Sequence, residues 1–167
     1  MMNEAQLVAE LKRHKVHFLA NRIDDCGPAL SSEMLIANLA SHPQARLRLA
    51  LIPLFLTQPK FSTAVDAALE LLDDPHQVTL ACYYTAALLL QQKYHDKLVD
   101  VFGVQPILPD LFEDRFHLEG ETADELLHQL AKQHAEQTDR FVNWYGTYHH
   151  AFQRLMKAQP DRHHSYA

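Results

Sequence analysis

The apolar run Leu49–Leu56, eight residues with a proline at position 53, constrains this chain more than any other feature. It has to be buried, yet a membrane span needs roughly 20 such residues. A short run of this kind also suits a buried strand. The flanking "ARLRLAL" mixes Ala, Leu and Arg in a helical manner, and Pro43 suits a first helical turn. The stretch therefore reads as a core helix over about 42–59, kinked where Pro53 removes a hydrogen bond.

The rest of the chain agrees. Only 4 of 167 residues are glycine, while strong helix formers abound. Leu7, Leu11, His14 and Phe18 mark one face of a first helix running to Asn21, which "DDCGP" (24–28) ends. Ser31 or Ser32 caps a second helix carrying Met34, Leu35, Ala37 and Leu39. Residues 61–72 form another helix, and a long pattern runs from His76 to Gly103. After the aperiodic 104–121 segment, Thr122 and Glu125 sketch a capping box. A last helix spans about Asn143–Ala158. The expectation is an all-α fold of about seven helices in packed hairpins, as a bundle or a short HEAT-like array. The repeat at an offset of about 33 residues between "HPQARLRLALIPLFL" and "PHQVTLACYYTAALLL" suits that reading. One domain covers 1–158, and 159–167 is a polar tail.

A net charge of −6 argues against direct nucleic-acid binding. Two unpaired-looking cysteines, Cys26 and Cys82, fit a reducing cytoplasm, and the N-terminus lacks a secretory pattern. Cys26 sits beside Asp24 and Asp25, which disfavour a thiolate, and Cys82 reads as packing. No nucleophile elbow, P-loop or dinucleotide fingerprint occurs. Glu125 and His128 have the Glu-x-x-His spacing of carboxylate metal bundles, but a second copy is missing. His14 and His17 likewise lack a third ligand nearby, so neither a metal nor another cofactor is expected.

Two histidines fall on apolar faces: His14 among Leu7, Leu11 and Phe18, and His134 beside Leu127 and Ala131. A hydrogen-bonded core role is expected for both, with a depressed folded pKa and stability lost below about pH 6.5. Arg46 and Arg48 are candidates for an acidic partner or a phosphate; pairing with a carboxylate such as Asp73 or Asp74 is the simpler expectation.

The final helix holds the chain's only tryptophan. Trp144, Tyr145, Tyr148, Phe152, Leu155 and Met156 share one stripe, His149 lies at its edge, and His150 points away. Such a stripe is ordinarily core, although Trp and Tyr also anchor interfaces. Trp144, Tyr145, Tyr148 and His149 are the candidate binding residues, together with Arg46 and Arg48. Gly146 lies off the stripe and costs about 1 kcal/mol against alanine unless something packs there.

"RLRLALIPLFLTQP", "CYYTAALLLQQKY", "LPDLF" and "NWYGTYHHA", in that order, resemble a family of small, uncharacterised bacterial all-helical proteins. The resemblance spans about residues 40–156 and carries no site residues with it. Members of that family accompany nucleotidyltransferase-type proteins, which implies a partner role. The functional expectation is thus a non-enzymatic interaction module or accessory subunit, antitoxin-like in a toxin–antitoxin pair; homo-oligomers are also compatible. The alternative is a divergent HEPN-like ribonuclease or other hydrolase using His149 with Arg140 or Arg154. The arginine–histidine spacing of that class is not met, the nearest pair being Arg13 and His17.

Overall fold

The computed structural model describes residues 2–16 and 30–159. The expectations on His17, Phe18, the "DDCGP" turn with Cys26, and most of the polar tail lie outside these residues. Among the described residues the secondary structure is entirely helical: α1 (Glu4–Arg13), α2 (Ser32–Ser41), α3 (Ala45–Leu49), α4 (Leu51–Thr57), a 3-10 segment (Pro59–Ala64), α5 (Val65–Glu70), α6 (Asp74–Lys93), α7 (His95–Phe102), α8 (Glu113–Phe116), α9 (Ala123–Thr138) and α10 (Trp144–Ala158). None of these helices is long and apolar enough to cross a membrane.

Local chemistry sets most boundaries. Asn3 and Gln6 form a reciprocal capping box on α1. Ser31, Asp73, Thr122 and Asn143 cap α2, α6, α9 and α10 through their side chains. The Thr122 box is only half formed, since Glu125 accepts the N–H of Glu121 instead of that of the cap. Lys15, at φ 62°, closes α1, with Val16 N–H on Leu11 O and Lys15 N–H on Lys12 O.

Three expected helices are subdivided. The 42–59 helix breaks at Ala50 rather than bending at Pro53. Pro53 cannot bond the Leu49 carbonyl, so a new helix starts at Leu51 and places the proline in its first turn. The 61–72 helix is a 3-10 segment followed by α5. The 76–103 helix stops at Lys93, turns at Tyr94 (φ −113°, ψ 29°) and resumes as α7, which Gly103 ends at φ 79°.

Every residue of α6 from Leu80 to Gln91 is buried. This helix is the hub, with α4, α9, α2 and α10 packed around it. One hydrophobic core connects Leu7 in α1 to Leu155 in α10. The 104–112 segment is fastened to α6 by side chains: Gln91 Nε2 donates to Pro106 O at 3.0 Å, and Leu108 N–H donates to Gln91 Oε1 at 2.8 Å. Tyr84 Oη donates to Pro109 O at 2.7 Å. The buried Leu108, Phe112 and Phe116 complete the attachment.

Candidate functional site

The end of α6, the first turn of α9 and the start of α10 converge on one ammonium group. Lys93 Nζ lies 2.5 Å from Asp124 Oδ1, 3.3 Å from Tyr145 Oη and 2.9 Å from His149 Nε2. Three donors thus meet three acceptors. Tyr145 Oη donates in turn to Asp124 Oδ1 at 2.5 Å. His149 Nδ1 is 2.9 Å from the Tyr145 carbonyl oxygen. A carbonyl only accepts, so Nδ1 carries the proton and Nε2 is the bare nitrogen that receives Lys93. Helix termini favour this charge placement: a cation at the C-terminus of α6 and an anion in the first turn of α9.

The titration behaviour follows from the contacts. Burial opposes the charge on Lys93, but the hydrogen bonds to Asp124 and Tyr145 outweigh it and raise its pKa. The hydrogen bonds from Lys93 and Tyr145 pull Asp124 down to about 2. Tyr145 is raised, chiefly by its bond to the Asp124 carboxylate. His149 is lowered, first by burial and further by the neighbouring Lys93, against the opposing bond to the Tyr145 carbonyl.

Aromatic rings frame the group. His128 stacks on Tyr145 with centroids 3.8 Å apart and planes 7° apart, its Nε2 lying 3.6 Å from Asp124 Oδ2. Tyr94 stacks on Phe152 at 4.2 Å and meets the His149 ring edge-on at 5.9 Å. Lys93 and Lys97 approach the Tyr94 ring at 5.2 and 5.4 Å.

A second cluster lies in the core. His134, 1 % exposed, has Nδ1 2.7 Å from Tyr148 Oη and stacks on Trp144 at 3.6 Å. Trp144 Nε1 donates to Arg140 O at 3.0 Å, and Tyr83 lies edge-on to His134 at 5.5 Å. Burial pushes His134 down to about 3.

The six candidate binding residues therefore separate. Tyr145 and His149 join the lysine cluster, half-buried at the surface. Trp144 and Tyr148 are core residues around His134. Arg46 is ion-paired with Glu4 of α1, not with Asp73 or Asp74, and its Nε donates to Gln44 Oε1. Arg48 Nη1 donates to His42 O at 2.7 Å and Pro43 O at 2.8 Å, capping the end of α2. Arg140 occupies the turn before α10, its backbone N–H on Ala135 O. The cation on His149 is Lys93, which sequence reasoning passed over together with Asp124. Their signal was the terminal placement of opposite charges on two helices, combined with Tyr145 and His149 at i, i+4.

The remaining candidates resolve simply. His14 is half-buried, not internal; its Nε2 is 3.6 Å from Glu10 Oε1 and its ring lies edge-on to Phe61. Burial pushes the Cys82 thiol up to about 12, which removes it as a nucleophile. Glu125 and His128 have separate partners, and no group of three or more metal-ligating side chains occurs among the described residues. Comparison with protein-family models, with curated proteins and with solved structures finds no match.

Proposed function

We propose that this chain is a protein-interaction module or accessory subunit, acting as an antitoxin-like partner of a nucleotidyltransferase-type protein. The observation that carries the reading is the turn between α9 and α10. Phe141 is 82 % exposed and Val142 46 % exposed there. That turn is held at both ends, by Asp139 in the left-handed conformation and by Asn143 capping α10, while Trp144 roots it in the core. A turn anchored in this way and presenting adjacent apolar side chains suits an interface anchor.

Co-expression with a nucleotidyltransferase-type protein of the native host, followed by size-exclusion chromatography, tests this reading. A stoichiometric complex that Phe141→Ser disrupts is the expected result. Separate elution of the two wild-type proteins overturns it.

The hydrolase alternative draws on the convergence of Lys93, Asp124, Tyr145 and His149. As a base, His149 would first have to release Lys93, because both of its ring nitrogens are engaged. Ribonuclease assays of the wild type against His149→Ala decide the point, and equal background activity rejects it.

A further inference from the structure

His14, His76, His95 and His128 each sit beside a carboxylate, that of Glu10, Asp73, Asp96 and Asp124 in turn. A proton on any of these rings strengthens the contact it already makes. His149 is set the other way round, on an ammonium. Its Nδ1–H is fixed on the Tyr145 carbonyl oxygen, so the place left for a second proton is Nε2. That lone pair already accepts from Lys93 Nζ at 2.9 Å. A proton and Lys93 therefore compete for one lone pair. With both present, two cationic donors would point at each other with no acceptor between them.

Lys93 is the partner free to move. Its other bonds, to Asp124 Oδ1 at 2.5 Å and Tyr145 Oη at 3.3 Å, hold without the imidazole. Its side chain is 25 % exposed, so the released N–H turns to water. The remaining groups around the ring come from every neighbouring element. Asp124 of α9 favours the imidazolium, while His128 of α9 and Lys93 of α6 oppose it. Tyr94, in the turn after α6, meets the ring edge-on and has Lys97 of α7 over its own face. Tyr145 of α10 lies tilted against the ring at 4.3 Å.

We propose that His149 and Lys93 form a proton-operated latch, in which protonation of Nε2 expels the lysine and frees the second turn of α10 from the end of α6. The first turn of α10 stays attached through Tyr145 Oη, so the release is local. Above the titration of His149 the latch is closed; below it the ring carries the proton in place of the lysine.

The test follows the side-chain nitrogen of Lys93 and the ring nitrogens of His149 by NMR in the full chain, from about pH 8 to about pH 4. A shift of Lys93 Nζ is expected, with its midpoint at the protonation of His149 Nε2. Amide exchange over residues 149–153, corrected for the intrinsic effect of pH, should speed by about tenfold across the same step, as one charged hydrogen bond is lost. Glutamine offers an amide oxygen near the position of Nε2 and takes no proton, so His149→Gln keeps Lys93 and abolishes both changes. His128→Phe keeps a ring against Tyr145 and leaves both changes in place. A Lys93 resonance that ignores the protonation of His149, a step that persists in His149→Gln or vanishes in His128→Phe, or exchange that stays level overturns the proposal.

Discussion

Lys93 Nζ and His149 Nε2 are 2.9 Å apart, a permanently charged ammonium on the bare nitrogen of a neutral imidazole. The contact joins the last residue of α6 to the second turn of α10, and Asp124 supplies the counter-charge from α9. Three helices are therefore tied at one atom, and their titrations are linked.

Lys93→Met should raise the pKa of His149, because the substitution removes a neighbouring positive charge that now disfavours the imidazolium. It should also let Asp124 return upward from about 2 towards the ordinary carboxylate range. NMR titration of the His149 ring and the Asp124 carboxyl carbon checks both. Unchanged midpoints would show that the ammonium does not govern the cluster.

His134 makes stability pH-dependent. Its folded pKa of about 3 lies below the ordinary 6.5, so the unfolded chain binds the extra proton first as pH falls. Stability is complete above about pH 6.5 and declines from there towards pH 3, at up to about 1.4 kcal/mol per pH unit from this residue. His14, His42 and His149, all lowered, act in the same direction. His134→Phe should flatten part of the slope, while costing about 1–3 kcal/mol at pH 7 because Tyr148 Oη loses its partner. Denaturant melts at pH 7, 6 and 5 measure both effects.

Gly146→Ala should fail to stabilise α10. Alanine ordinarily gains about 1 kcal/mol over glycine in a helix. Here its Cβ would stand 2.6 Å from Asn143 Nδ2, and Asn143 Oδ1 accepts the Gly146 N–H at 2.9 Å. Moving that amide forfeits a cap of about 1 kcal/mol. In an Asn143→Ser background, whose shorter side chain clears the methyl, the same substitution should recover its usual gain. Thermal melts of the four-member cycle report it.

Lys15→Gly should raise stability by about 1 kcal/mol, because a non-glycine residue holds the left-handed position that closes α1. A lower melting temperature would show that the Lys15 side chain contributes more than its backbone costs.

The helical class, the caps at Ser31 and Thr122, and, apart from Tyr145, the division of α10 into core and edge could all be read along the chain. They depend on residues within a turn or two of one another. The break at Tyr94 could not, because the apolar pattern continues through it into Leu98 and no glycine or proline marks the turn. Lys93 and Asp124 each sit at a helix end that favours their charge, but they are 31 residues apart and nothing local marks them as partners of one another. His14 and His134 looked alike on their helical faces. One received a carboxylate neighbour and the other a sealed aromatic cage, a difference that belongs to tertiary packing.

Gln91 gives the segment after α7 something like the registration of a strand, a side-chain amide serving where a neighbouring backbone would. Exposure alone would nominate Ile107, 72 % exposed, as a place to splice in a peptide tag. Its two neighbours, Pro106 and Leu108, are the residues that Gln91 holds, so added length there would pull both bonds out of phase. Val104, 90 % exposed and before the clamp begins, is the position where this surface can be lengthened without disturbing the hub helix.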